Sequence, residues 1–157
     1  MGEIDNILKK YGVIIVDQSV NDIKNKPITK YGAANASGKL AKSIRYEVDK
    51  GILTVTGLDY SYYVEKGRKP GKFPPKQPIL DWIEAKGIVA DISKESLAFL
   101  IQRKIAKEGT TAYQQGGTKL FEDILNPKLI GELQSDLVLT FKNVLVSQMK
   151  SALTTNV

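Results

Sequence analysis

Two pairs of side chains have the types and spacing for acid–base or nucleophilic chemistry. Lys42 and Ser43 are adjacent, the composition of a Ser–Lys dyad, and Asp81 and Glu84 lie three residues apart, the spacing of paired carboxylates on one helix face. Neither pair has a supporting context. Neighbours on a strand point to opposite faces, and the two acids sit beside Lys86 as ordinary surface charge. The chain has no cysteine and no histidine. That excludes disulfides, thiolate zinc sites, a catalytic cysteine and every histidine-based triad. It also removes the commonest general base. The carboxylates are scattered, with no EF-hand loop, and Gly67-x-x-x-Gly71 lacks the context of a Walker or Rossmann phosphate loop. The expectation is no enzyme, no cofactor and no metal; a hydrolase of unfamiliar type is the least supported alternative.

The remaining chemistry is cationic. The 157 residues carry 23 Lys and Arg against 17 Asp and Glu, a net charge of +6 that suits an anionic neighbour. The charge peaks between Lys66 and Lys76, where Lys66, Arg68, Lys69, Lys72 and Lys76 occur with no acid. This run lies inside Tyr60–Ile83, which also holds three of the seven tyrosines, four of the six prolines and the only tryptophan. Gly67, Pro70, Gly71, Pro74, Pro75 and Pro78 exclude regular structure through its middle. Val64 before it and Ile79, Trp82 and Ile83 after it return to a core. Residues 66–78 therefore read as a stiff, basic, exposed loop between apolar anchors. A second basic group, Arg103, Lys104 and Lys107, reads as a solvated helix end rather than a phosphate-binding face. Tyr60, Tyr62, Tyr63 and Trp82 have faces on which bases stack, but read better as core or subunit-interface anchors.

The elements that must position these residues follow from periodicity. Length fits one domain with a substantial core, and 42% hydrophobic with 25% charged residues is an ordinary globular composition. No apolar run reaches the roughly 18 residues of a membrane span, and Met1–Asp5 reads as neither a signal peptide nor a myristoylation site. Residues 3–25 place Ile4, Ile7, Leu8, Tyr11, Ile14, Ile15 and Ile23 largely on one helical stripe, ended by Pro27. Residues 28–40 are small and polar and read as a loop. Lys39–Ser43 leads into a strand with Ile44, Tyr46 and Val48 on one face. Asp49, Lys50 and Gly51 turn it into a second strand, Ile52–Thr56. Asp59 is placed to cap a short helix, Tyr60–Glu65, stopped by Gly67. A helix from Pro78 to Ala85 is closed by Gly87. Ser93 caps a helix over 93–108, with Leu97, Leu100, Ile101 and Ile105 as its buried face and Gly109 as its stop. Residues 110–118 read as a loop, and Leu120, Phe121, Ile124 and Leu125 as a short apolar turn. A last helix, 128–152, puts Leu133, Leu137, Phe141, Val144, Leu145 and Gln148 on one face. The fold class is α+β: a small antiparallel β-sheet packed against an N-terminal helix, a central helix and a C-terminal helix.

Four runs in this order carry a resemblance: Gly38-x-Leu40-x-x-Ser43-Ile44; Tyr60-x-x-Tyr63-Val64-Glu65-x-Gly67-x-x-Pro70-Gly71; Pro78-Ile79-x-x-Trp82; and Ile101-x-x-Lys104-Ile105-x-x-x-Gly109-Thr110. Together they resemble the neck, tail-completion and minor tail proteins of tailed bacteriophages, also called head–tail connector or virion morphogenesis proteins, over roughly residues 35–125. One departure is a polar insert, Ala112–Gly117, where the family often continues with a short Pro-Phe segment.

The resemblance implies a structural virion component, made in the bacterial host cytoplasm and located in the neck or tail. It implies a homo-oligomeric ring through which DNA passes, with neighbouring portal, adaptor or tail-tube proteins as partners. It brings no cofactor, no catalytic residue and no membrane. On this reading Tyr63, Glu65, Arg68, Lys69, Lys72, Phe73, Pro74, Pro75 and Lys76 form an interface. Arg68, Lys69, Lys72 and Lys76 are the side chains that would face transient, non-specific DNA. Loops 28–37 and 110–118 are expected to be mobile and to order on assembly. The alternative from another class is a small basic nucleic-acid-binding module, and the bland reading of the loop is a solvated connector.

Overall fold

The computed structural model describes residues 2–29, 32–34 and 36–155. The fold is α+β, with helices predominating and two small antiparallel sheets. The elements run α1 (Gly2–Asn25), β1 (Pro27–Thr29), β2 (Gly32–Ala33), α2 (Lys39–Ser43), β3 (Arg45–Asp49), β4 (Ile52–Thr56), α3 (Ser61–Lys66), α4 (Lys76–Ala85), α5 (Lys94–Glu108), α6 (Thr111–Gln114) and α7 (Pro127–Thr155). Length alone fits one domain; internal contacts divide the chain into two compact units, with the cut inside α1 after Gln18.

The first unit joins residues 1–18, 45–56 and 122–157. Strands β3 and β4 pair from Arg45↔Thr56 to Asp49↔Ile52. Tyr46 and Val48 are the half-covered side chains of β3, in the alternation the sequence predicts. Lys50 (φ 49°) and Gly51 (φ 78°) both take positive φ at the tight turn. The Gly51 N–H donates to Asp5 Oδ1 of α1 at 3.2 Å. Gly12, which lowers helix propensity, has a packing reason: a Cβ there would overlap the Tyr46 ring. Helix α7 starts on Asn126, whose Oδ1 accepts from the Leu129 N–H at 3.0 Å, with Pro127 at the first helical position. Asp136 of α7 receives both Lys10 Nζ at 2.9 Å and the Tyr11 hydroxyl at 3.0 Å.

The second unit joins residues 19–44 and 57–121. Its apolar centre is Ile79, Ile83 and Ala98, with Leu80, Trp82, Ile88, Leu97, Ile101 and Ile105 packed around it, where α4 crosses α5. The Ser93 cap is present: its side chain accepts from the Ser96 N–H. Trp82 belongs to this core, as expected, whereas Tyr60, Tyr62 and Tyr63 are exposed.

Several local expectations are corrected. Residues 28–40 are not a plain loop: β1 and β2 pair antiparallel there, and Lys39–Ser43 forms the helix α2 rather than extended chain. Backbone pairing, not side-chain period, creates these elements, so composition hid them. Residues 30, 31 and 35 of that stretch lie outside the described residues. Residues 110–118 contain α6, capped by Thr110, whose side chain accepts from the Tyr113 N–H. The cap of α3 falls on Tyr60, not Asp59, and carries no side-chain hydrogen bond. Helix α4 starts at Lys76, so it takes the last three residues of the 66–78 loop. On α5, Leu100 is exposed while Ala98 and Gln102 are buried. Leu97, Ile101 and Ile105 pack on the core as expected, so the buried face is turned only from Leu100 toward Ala98, the small residue packed against α4. On α7, Phe141 and Leu145 are exposed, not buried.

Candidate functional site

The basic run becomes an arm held by its own unit along nearly its whole length. Helix α3 ends at Gly67 and α5 at Gly109, and the two ends are clasped together. Gly67 has φ 73°, ψ 179° and Gly109 has φ 77°, ψ −179°. This region of backbone space is essentially restricted to glycine. Space demands glycine as well: a Cβ at Gly67 would strike the Tyr113 backbone, and one at Gly109 would come within 2.9 Å of the Arg68 carbonyl oxygen.

Three hydrogen bonds close the clasp. The Arg68 N–H donates to Thr110 Oγ1 at 2.9 Å. The Thr110 N–H returns to the Arg68 carbonyl at 2.9 Å, and the Gly71 N–H donates to the Ala106 carbonyl at 2.8 Å. A second attachment follows. The Phe73 ring stacks on Phe99 of α5, centroids 6.2 Å apart, and Gln102 Nε2 donates to the Pro74 carbonyl at 2.7 Å in a buried setting. The base of α3 is held from the other side. Glu65 is buried; its carboxylate accepts from the Phe121 N–H at 3.1 Å and its carbonyl from the Thr118 N–H at 2.7 Å.

The residues the sequence singled out therefore divide. Glu65 and Pro74 are buried by their own chain and present little surface to a partner. Arg68 is half-buried, with its guanidinium 5.7 Å from the Tyr63 ring centroid, a cation–π distance. Tyr63, Lys69, Lys72, Phe73, Pro75 and Lys76 remain exposed. Beside them lies an open depression of about 480 Å³ lined by Lys76, Ile92, Glu95, Ser96, Phe99 and Leu100. Its apolar floor and mixed charged rim suit a protein surface more than a phosphate.

The other candidates resolve locally. Ser43 Oγ donates to the Leu40 carbonyl at 2.7 Å and accepts from the Leu58 N–H at 3.2 Å, closing the end of α2. Asp81 accepts from Gln77 Nε2 at 2.8 Å, and Glu84 faces Lys94 at 3.8 Å. Arg103, Lys104 and Lys107 are exposed along α5. No group of three acidic side chains placed to hold a metal occurs among the described residues. No described helix is long and apolar enough to cross a membrane.

Sequence reasoning missed Thr110, Thr118, Gln102 and Phe99 as supports of the arm. Thr110 had a signal, being a hydroxyl residue just after a helix stop. Gln102 had a weaker one, a polar residue beside Ile101 on an apolar stripe. Nothing local pairs either with a loop 28–42 residues upstream.

The four runs that carry the resemblance all have structural employment. Leu40 and Ile44 are buried beside the Ser43 closure, and Ile79 and Trp82 belong to the core of the second unit. Gly67–Gly71 and Ala106–Thr110 are the two halves of the clasp. Comparison with protein-family models, with curated proteins and with solved structures finds no match to this chain.

Proposed function

We propose that this chain is a structural virion protein of a tailed phage, a subunit of the head–tail connector or tail-completion ring through which DNA passes. One observation carries the reading. A cationic, proline-rich arm is fixed at 68–71 and again at 73–74, yet turns Lys69, Lys72, Pro75 and Lys76 outward. An arm ordered in advance loses little conformational entropy on docking, which suits repeated contacts between neighbouring subunits. Its cations stand on an open surface rather than in a pocket, which suits weak, sequence-independent contact with passing DNA. The partners are further copies of this chain and adjoining portal, adaptor or tail-tube proteins; the place of action is the neck or tail of the virion. The family in this reading rests on the resemblance carried by residues 35–125.

The same arm and the net charge of +6 favour a second reading, a small basic nucleic-acid-binding module. Native mass by light scattering, across protein and salt concentration, separates the two. The ring reading expects a closed species much larger than a dimer, alone or with a portal or tail partner, and expects K69E/K72E/K76E to remove it. A chain that never exceeds a dimer and binds duplex DNA with a steep salt dependence overturns it in favour of the second reading.

A further inference from the structure

Strands β3 and β4 form a sheet of only two strands, and such a ribbon is marginal in water without further strands or packing. Packing covers one face, where α1 lies against Tyr46 at Gly12. In the register of the hairpin, Asp49 faces Ile52 across the two-residue turn, Glu47 faces Thr54, and Arg45 faces Thr56. These pairs point their main-chain N–H and C=O groups at each other. The alternation turns the main-chain groups of Leu53 and Val55 outward from β4. No hydrogen bond among the described residues uses them.

Proteins guard an open edge with charge, proline or a bulge. The β4 segment Ile52–Thr56 reads ILTVT, with no charge, no proline and four β-branched residues, and it pairs with β3 in unbroken register. Ile52 is 65% exposed and Val55 39%. Strand β3 differs, because Arg45, Glu47 and Asp49 charge its exposed side.

Self-complementarity and the placement of charge identify the occupant. Let β4 run antiparallel to β4 of a second copy about a two-fold axis at Thr54. Leu53 of each chain then faces the partner's Val55, and four main-chain hydrogen bonds use every outward donor and acceptor of these residues. Thr54 faces the partner's Thr54, a favourable cross-strand pair, and Ile52 faces the partner's Thr56. Leu53 and Val55 share a face with Val48 and Tyr46, so the half-covered apolar face continues across the axis. No charge meets its own copy. The equivalent pairing of β3 would centre on Glu47 and set it against the partner's Glu47, which is destabilising. A foreign peptide would find no charge on β4 to select it, whereas a second copy brings a matching strand at the protein's own concentration.

We propose that β4 pairs antiparallel with β4 of a second copy of this chain about a two-fold axis at Thr54, joining two hairpins into one four-stranded sheet. The contact is isologous, as two-fold symmetry requires. Five residues per side fall well short of the roughly 20–30 of a standard interface, so the dimer is reversible rather than permanent. This pairing does not depend on the ring reading, because β4 lies in the first unit and the arm in the second.

The test uses the whole chain, which has no native cysteine. Sedimentation equilibrium is expected to show a reversible species of twice the 17.3 kDa chain mass. Val55→Pro removes an outward N–H that the hairpin itself does not use. It should weaken the dimer at least tenfold with helix content retained. T54K and T54E change an exposed side chain and should each weaken the dimer several-fold, since like charges then stand opposite across the axis. An equimolar mixture of the two should regain it. Under mild oxidation Thr54→Cys should give a disulfide-linked dimer, because its two copies stand about 4.5 Å apart between Cα atoms. Ile52→Cys should not, because its copies are separated by roughly 14 Å along the strands. Cross-linking at both positions, or a dimer as strong in V55P as in the wild type, overturns the pairing. A chain that stays monomeric at high concentration overturns it as well. K69E/K72E/K76E should leave the dimer intact, so failure of this pairing and failure of the ring reading give different results.

Discussion

Arg68 and Thr110 hold each other through two hydrogen bonds of 2.9 Å. The Arg68 N–H donates to the threonine hydroxyl, and the Thr110 N–H donates to the arginine carbonyl. Across 42 residues of sequence, this exchange sets the direction in which the basic arm leaves α3. The same hydroxyl also accepts from the Tyr113 N–H at 3.3 Å, so one oxygen both caps α6 and anchors the arm.

Thr110→Val keeps the shape of the side chain and removes the hydroxyl, leaving the Arg68 and Tyr113 N–H groups without this acceptor. The expected loss is about 1–3 kcal/mol, combining a lost cap with an unsatisfied part-buried donor. Thr110→Ser should recover most of it. Urea denaturation of the three proteins checks the order, and a valine variant as stable as the serine variant would remove the hydroxyl from the account.

Gly67→Ala and Gly109→Ala should each destabilise by roughly 1–3 kcal/mol from backbone conformation alone, and by more because both sites lack room for a methyl group. In a chain of this size that corresponds to about 2–4 °C in Tm per kcal/mol. Gly2→Ala, in open space at the start of α1, is the control and should change little.

Gln102→Leu leaves the Pro74 carbonyl without its buried donor and should loosen the arm without unfolding α5. Limited trypsin digestion reads this directly. Cleavage after Lys72 is expected to accelerate several-fold in the variant, while cleavage after Lys107, on the other side of the clasp, should not. Equal acceleration at both sites would mean general unfolding.

The Lys10–Tyr11–Asp136 group gives a pH signature. Hydrogen bonds from Lys10 and then Tyr11 hold the Asp136 carboxyl below the usual carboxylate range, and the hydrogen bond to Asp136 raises Lys10. Burial, followed by the bond to Asp136, raises Tyr11. A depressed carboxyl contributes stability that is full above its unfolded value and is lost as pH falls through its folded value. A raised lysine contributes stability that is full below its unfolded value and is lost as pH rises through its folded value. Asp136→Asn should therefore flatten the acid limb of the stability profile and the upper alkaline limb, leaving the middle range nearly flat in both proteins. The pair is partly open to solvent, so salt should shrink the effect. A variant with an unchanged acid limb would show that other carboxylates govern it.

For DNA, the exposed cations Lys69, Lys72 and Lys76 with half-buried Arg68 allow at most about four phosphate contacts per chain. The logarithmic salt slope should then not exceed roughly −3.6 per chain. A steeper slope in fluorescence anisotropy would require cations beyond the arm, with Arg103, Lys104 and Lys107 the next to mutate.

How much of this was legible before the fold was known depends on the range of the interactions concerned. Helix α1, the β3–β4 hairpin with its Lys50–Gly51 turn, the Ser93 cap and the glycine stops at 67, 87 and 109 were all readable. Each depends on propensity, period or turn geometry within a few residues. The stiffness and charge of the 66–78 run were readable for the same reason. Only the tertiary structure decided which of its residues face outward. Pro74 within it, and Glu65 just before it, went inside where Gln102 and Phe121 offer them hydrogen bonds from distant parts of the chain, and no local pattern records such partners. On α5, the sequence counted Leu100 in the buried face and passed over Ala98, whereas packing against α4 buries Ala98 and leaves Leu100 exposed. On α7, the sequence put Leu133, Leu137, Phe141, Val144, Leu145 and Gln148 on one face, whereas the structure half-covers Leu133, Leu137 and Val144 and leaves Phe141, Leu145 and Gln148 exposed. Hydrophobicity is a property of each residue alone, whereas burial depends on what the rest of the chain brings against it.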